Sequence, residues 1–225
     1  MLGDDILFRQ YAPSDLAACA ELAEEAWPYG KTMFSGPSNV STMTGYVRST
    51  LIHSTWTEVA TISGEVVGFL FGHIDRQQNS KSWLKSLGEE VSMFSGLLSA
   101  DYIKPDKALL MLFGITMTEL KLAINRPKSD AEIEMLIVSA GHRGSGIGKA
   151  LVDRFIEAAR QVGSSVITVY TDDKTSNWQF YERYGFKKVA TFYDNVSSYY
   201  ADVDSNGIVY ALDLRESKKP EDLRA

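Results

Sequence analysis

The chain is short of the residues that mark several large classes of protein. It has a single cysteine, Cys19, in 225 residues, so neither an intrachain disulfide nor a multi-thiol metal site is open to it. That scarcity fits a reducing interior. Cys19 lies in the apolar helical stretch from Leu16 to Leu22, where a thiol packs rather than attacks. The three histidines, His53, His73 and His142, are far apart and lack zinc-type spacing, so no metal is expected. Basic runs are missing as well. Lys and Arg number 23 against 29 Asp and Glu, a net charge of −6, which argues against a nucleic-acid partner. The acidic balance mildly suits a cationic ligand such as an amine, although solubility alone accounts for it. Long hydrophobic runs are also absent. Ala108 to Met117 is uncharged and apolar, but Lys107 and Glu119 bound it well below the ~20 residues that span a bilayer. Met1-Leu2-Gly3-Asp4-Asp5 lacks the basic-then-apolar order of a secretory signal, so the expected location is cytoplasmic.

What is present reads as one domain over residues 1–225, with apolar material enough for a sizeable core. Ile6 to Arg9 is a strand, Pro13-Ser14-Asp15 starts a helix, and Leu16, Cys19, Ala20, Leu22 and Ala23 recur at helical spacing up to Trp27-Pro28. Tyr29 to Asn39 reads as loop. Ser41 to Ser54 reads as a second helix burying Met43, Tyr46, Val47 and Leu51. Thr57–Ser63 and Val66–Asp75 form a hairpin turning at Gly64-Glu65. Between about 79 and 130 the character changes. Trp83, Leu84, Leu87, Val91, Phe94 and Leu98 follow a helical stripe, and Lys107 to Asn125 is a second apolar helix. We read this as a helical insertion, rich enough in apolar surface to line a pocket and to make a homodimer contact.

Glu132 to Ser139 is a strand apolar enough for the centre of a sheet. It runs into three glycines at alternate positions, Gly144, Gly146 and Gly148, and then into a helix whose apolar face is Ile147, Leu151, Val152, Phe155, Ile156, Ala159 and Val162. Glycines let the backbone approach a ligand closely. The unpaired N–H groups and dipole of the helix start then make an anion site, reinforced by Arg143 and Lys149. A diphosphate is the natural ligand. A P-loop would need Ser or Thr after the lysine, but Ala150 follows Lys149. A dinucleotide fold would need Gly-x-Gly-x-x-Gly, and the spacing here is Gly-x-Gly-x-Gly. Downstream, Val166–Thr171 is a strand, and Ser176-Asn177-Trp178-Gln179 fits a capping box opening a short helix that stops at Gly185. Lys188–Tyr193 and Ile208–Leu214 are closing strands, and Glu216 to Ala225 is a tail expected to fray.

At this point the sequence resembles the GNAT superfamily of N-acetyltransferases. Arg143-Gly144-Ser145-Gly146-Ile147-Gly148 matches the family's signature loop. Met135 to Ser139 is similar to its fourth strand, and Phe180-Tyr181-Glu182-Arg183-Tyr184-Gly185-Phe186 to its second motif. The resemblance covers roughly residues 5–75 and 131–215. It implies an α/β fold: a mixed, mostly antiparallel sheet with helices on both faces, enlarged between the third and fourth strands. It implies acetyl-CoA as cofactor, its pyrophosphate on backbone N–H groups from Gly144 to Lys149 and its pantetheine arm on the main chain of Leu136 and Val138. Asn177, four residues before Tyr181 and so on the same side of the short helix, would reach the cofactor's amide or ribose region. Tyr181 is the candidate general acid for the departing thiolate, with a packed aromatic as the alternative. Either Glu132 or Glu134, two apart and so facing one side of the strand, would take the proton of the acceptor amine.

The implied activity is direct transfer of acetyl to a primary amine, on a small molecule or a protein, in a ternary complex. A non-catalytic acyl-CoA-binding sensor or scaffold is the alternative. Trp27-Pro28-Tyr29-Gly30 and Phe34 would either line an amine site or cover the core.

Overall fold

A computed structural model of the chain describes residues 5–27, 40–75, 105–201 and 204–216. The loop read over Tyr29–Asn39 with Phe34, the stripe from Trp83 to Leu98 and the C-terminal tail lie outside them. In chain order the elements are β1 (Leu7–Gln10), α1 (Leu16–Ala26), α2 (Val40–His53), β2 (Trp56–Ile62), β3 (Glu65–Ile74) and α3 (Pro105–Asn125). After these come β4 (Ala131–Val138), α4 (Ile147–Gln161), β5 (Val166–Asp172), α5 (Gln179–Tyr184), β6 (Lys187–Tyr193), α6 (Asn195–Ala201) and β7 (Asn206–Asp213). One seven-stranded sheet has the order β1-β2-β3-β4-β5-β7-β6, and β4–β5 is its parallel pair. The mixed, mostly antiparallel sheet is the expected one.

Apolar spacing decides what covers each face. Leu151, Val152, Phe155 and Ile156 of α4 pack with Leu70, Ile74, Ile133 and Ile167 on one side. Cys19, Ala20 and Ala23 of α1 join Met43 and Val47 of α2 over Phe69, Phe71, Met135 and Ile137 on the other. Burial pushes the Cys19 thiol up to about 12, so it stays protonated and packs. Tyr46 is corrected: it is 48% exposed rather than buried. The β2–β3 turn is Ser63-Gly64, both at positive φ (51° and 87°), while Glu65 already pairs with Ile62. Two such residues twist a hairpin in the sense its strands require. At the chain start, Asp15 is buried and collects both Nη groups of Arg9 at 2.6 and 2.7 Å and the Ala12 N–H at 2.8 Å. These contacts hold its carboxyl below the usual range, the Arg9 hydrogen bond foremost.

β4 carries the irregularity that matters most. Opposite β3, Gly72 pairs with Ile133 and Phe71 with Met135, which leaves Glu134 as an extra residue. This is a β-bulge, and it inverts the alternation. Ala131 and Ile133 belong to the α4 side, Met135 and Ile137 to the α1–α2 side. Gly72 is required there. A Cβ would come within 2.6 Å of both the Glu132 carbonyl and the Phe155 ring.

Helix α3 covers the expected span, and α6 was not anticipated. The signal was available, because Asp194 is a good N-cap in front of Asn195-Val196-Ser197. Its buried carboxylate accepts from Val196 N at 2.8 Å, Ser197 N at 3.1 Å, Tyr170 Oη at 2.7 Å and Thr118 Oγ1 at 3.2 Å. Lys121 adds bonds from α3 to the Tyr193 carbonyl (2.8 Å) and Asn195 Oδ1 (2.7 Å). So α3 is tied to the β6–α6 junction by polar contacts, with Phe113, Leu120 and Ile124 left exposed on its outer side. Asp194→Ala strands four donors at once and is expected to cost about 3 kcal/mol in urea unfolding. Asp194→Asn, which keeps an acceptor oxygen, should cost less than half of that. Equal losses would mean that the acceptor is not what matters.

Candidate active site

β4 and β5 pair over three positions only, Ala131 with Ile167, Glu132 with Thr168 and Ile133 with Val169. β5 continues beside β7 as far as Asp172, so β4 is the strand that departs, at the bulge. The Ser139 N–H donates to the Val67 carbonyl at 2.9 Å. By strand alternation Ile137 and Ser139 address β3, and the main chain of Leu136 and Val138 turns into the gap.

Beyond Val138 a 3-10 turn at Ala140–His142 leads to the glycine loop. Gly144 and Gly146 sit at φ 80° and 89°, a region closed to most side chains, and Gly146 is the N-cap of α4. A Cβ at either would meet nothing within 4 Å. The space above the loop is open. The N–H groups of Ile147, Gly148 and Lys149 have no intrahelical acceptor and stand at the positive end of α4. Gly148 differs, since its Cβ would touch the side chains of Val138 at 3.6 Å and Phe180 at 3.9 Å. The Ser145 hydroxyl holds the turn by donating to the His142 carbonyl at 2.6 Å. Arg143 Nε donates to the Val138 carbonyl at 3.2 Å. The Lys149 ammonium pairs with Asp153 at 2.8 Å and lies 5.6 Å from the Tyr184 ring centre. Glu25 of α1 accepts from Ala140 N at 2.8 Å and ties down the entry to the loop; its distance in sequence hid this role.

On the other side of the gap, α5 begins at Gln179 with Trp178 as a cap that uses no side chain. The expected capping box is absent, because Ser176 is already engaged. It accepts from Thr171 Oγ1 and donates to the Asp172 carbonyl, both at 2.6 Å. Asn177 therefore precedes the helix and shares no helical face with Tyr181; it is exposed, and its carbonyl accepts from Phe180 N at 2.9 Å. Tyr181 is buried, edge-on to Phe180 at 5.3 Å and Phe186 at 5.7 Å, and 6.0 Å from Tyr210. Burial raises its phenol well above the ordinary range.

The two strand glutamates do face one side, despite the bulge, and their partners separate them. Glu132 Oε2 accepts from Arg126 Nη1 at 2.6 Å. Glu134 Oε2 accepts from Ser54 Oγ at 2.8 Å. Glu132 is pushed up to about 7, first by burial and then by Glu134 and Glu119, against the pull of Arg126 and His73. Here desolvation outweighs the direct ion pair. Glu134 is also raised, by burial, with Ser54, His53, His73 and Arg126 opposing. Neither Arg126 nor Ser54 stood out in the sequence. Beside them Tyr46 meets Trp27 edge-on at 6.1 Å. Its phenol is raised by loss of solvent and then by the charges of Glu119, Glu134 and Asp194. Among the described residues no cluster of three or more His, Cys, Asp and Glu is placed to hold a metal, and no helix is long and apolar enough to cross a membrane.

Residues 111–186 match the sequence model of the Acetyltransferase (GNAT) family, a match that takes in most of α3. The chain is similar in structure to a Drosophila melanogaster polyamine N-acetyltransferase: TM-score 0.58, 17% identity, covering 93% of this chain and 100% of that one. It is also similar to an acetyltransferase-like GNAT protein of Desulfovibrio desulfuricans, with TM-score 0.54, 15% identity and coverage of 93% and 99%. A third is an aminoglycoside 6'-N-acetyltransferase complexed with coenzyme A, with TM-score 0.54, 14% identity and coverage of 92% and 96%. No curated protein matches the chain. The matched segment is thus similar to that family, and the chain shares the fold of these acetyltransferases.

The Glu132 pair generates a pH test. A folded pKa of about 7 against an ordinary 4.5 means that native stability favoured by protonated Glu132 is full below about 4.5 and declines as pH rises through 7. Arg126 matters only once Glu132 is charged. Arg126→Met should therefore cost little at about pH 5 and about 1 to 2 kcal/mol at about pH 8.5, between the values for exposed and buried pairs. Chemical unfolding at the two pH values checks this, and a loss independent of pH would contradict it.

Proposed function

We propose that the chain is an acetyl-CoA-dependent N-acetyltransferase that moves an acetyl group to a primary amine by direct transfer in a ternary complex. The observation that carries this is the gap after Ile133, lined by the main chain of Leu136 and Val138 and ending at the open N-terminus of α4. An extended pantetheine arm can add there as a strand would, its amides bonded to free main-chain groups. Its diphosphate falls on the N–H groups from Gly144 through Ser145, Gly146, Ile147 and Gly148 to Lys149, with Arg143 adjacent. Asn177, exposed at the rim of α5, is the candidate for the cofactor's amide or ribose end. The solved relatives support the reading, since one carries coenzyme A and another acts on polyamines.

The reacting carbonyl would lie where the strands part, next to Glu134. An amine reaches neutral pH as an ammonium with a pKa of about 10 and must lose a proton to attack. Glu134 takes that proton. Glu132, its neighbour held by Arg126, is the second candidate. The amine nitrogen then bonds to the thioester carbon while an N–H from the β4 edge near Val138 stabilises the oxyanion; as the carbon–sulfur bond breaks, the second proton still on nitrogen passes to the departing sulfur, leaving amide and thiol. Tyr181 faces a leaving thiolate of pKa about 8.5. Its raised phenol stays protonated, so it serves by donating a hydrogen bond to sulfur as charge develops there. No acyl-enzyme is needed, and Cys19 is fully buried.

Two measurements test this. Gly146→Val should weaken coenzyme A binding at least about tenfold in calorimetry, because Cβ enters the anion space and the φ of 89° is strained for valine. Unchanged affinity would remove the cofactor from this loop. Thiol release from acetyl-CoA with a panel of spermidine, an aminoglycoside and a lysine peptide then tests the residues. Glu134→Gln should lower kcat roughly 10²- to 10⁴-fold and Tyr181→Phe roughly 10- to 10³-fold, with the acetyl-CoA KM little changed. A parent that binds coenzyme A but acetylates no amine would favour the sensor instead.

A further inference from the structure

Ser54 follows the last residue of α2, and its hydroxyl has one hydrogen for two acceptors. Oγ lies 2.8 Å from the Thr50 carbonyl and 2.8 Å from Glu134 Oε2, across 80 residues of sequence. The Thr50 carbonyl is not dependent on it, because the Ser54 N–H already donates there at 3.0 Å. A carbonyl only accepts, and so does an ionised carboxylate. Both contacts can be hydrogen bonds at once in one state alone: Glu134 protonated and donating to Oγ, with the Ser54 hydrogen on Thr50. When Glu134 is ionised, the charge-assisted bond to the carboxylate is the stronger, and the hydroxyl turns to it. Rotation of one hydroxyl connects the two arrangements without moving a heavy atom.

We infer that Ser54 is a positioning residue for Glu134 that stays hydrogen-bonded to it in both protonation states, as donor to the carboxylate and as acceptor from the acid. A base that gains and loses a proton each turnover needs this, since an acid left without a partner in a partly buried site would swing away. The inference rests on the reading of Glu134 as the base. The other ionisable groups facing this carboxylate are His53 and Tyr46 from α2, His73 from β3, Arg126 after α3 and Glu132 on β4. Glu119 of α3 acts on Glu132 and Tyr46. These set where Glu134 titrates, and Ser54 sets how firmly it is held while it does so.

The test reads Glu134 directly and needs no acceptor. In the full chain labelled with ¹³C at the glutamate carboxyl carbons, Glu134→Gln assigns the Glu134 resonance and a pH titration follows it. Ser54→Ala removes a donor that favours the charged form more than the neutral one. The Glu134 midpoint should therefore move up by about one unit. The acid limb of kcat/KM should move with it. Ser54→Thr, which keeps the hydroxyl, should titrate as the parent does. Should Ser54→Ala fail to fold, Ser54→Cys, of similar size and a weak donor, should move the midpoint in the same direction. A midpoint that is unchanged or lower in the hydroxyl-free variants overturns the inference. Full activity of Glu134→Gln would instead overturn the assignment of the base, and the titration distinguishes the two failures.

Discussion

The structure depends on two parallel strands that stop pairing after three residues. A parallel ladder ordinarily gains from every further pair, so the early end needs a cause. The extra residue at Glu134 supplies it. It changes which face of β4 each side chain takes, so that Ile133 packs under α4 while Met135 and Ile137 pack under α1 and α2. Both halves of β4 are anchored, one on each side of the sheet, and the strand cannot slide back to close the ladder without exposing one of those sets. The gap is thus held open by hydrophobic packing on both faces. The main-chain groups that line it are turned from the sheet, the Val138 carbonyl with a bond from Arg143.

Two carboxylates keep to one surface across the bulge, and different partners hold them. Glu132 is held by a guanidinium, Glu134 by a hydroxyl that can accept as well as donate. Paired acids in one site are useful when their surroundings assign them different tasks. Here the assignment comes from outside β4: Arg126, just after α3 and six residues before Glu132, and Ser54, just after α2 and 80 residues before Glu134. The stretch between β3 and β4 therefore contributes a guanidinium to the site.

Much of this was legible beforehand, for physical reasons that differ by element. The glycine loop could be read because Gly144 and Gly146 occupy backbone conformations that few residues tolerate, and α4 because its apolar spacing is regular. Strand ends were displaced by a residue or so, as with Glu65, where turn geometry decides the boundary rather than hydropathy. The capping box at Ser176 misled, because the pattern is local while Thr171 and Asp172 compete for the same hydroxyl. The bulge was not legible. No residue type marks it, and it exists only in the register between β4 and β3. The partners Ser54, Arg126 and Glu25 were likewise hidden. Each is an ordinary polar residue until the fold brings a strand or loop beside it.

Asp194 carries a consequence for the order of assembly. Its carboxylate joins α3 to β5 and to the start of α6, and it lies 76 residues after its α3 partner Thr118. At ordinary translation speeds of about 5–20 residues per second, the ribosome delivers it roughly 4–15 seconds after Thr118. During that interval α3 lacks this bond. Its docking against the β6–α6 junction is therefore a late event of synthesis, timed by the arrival of that segment.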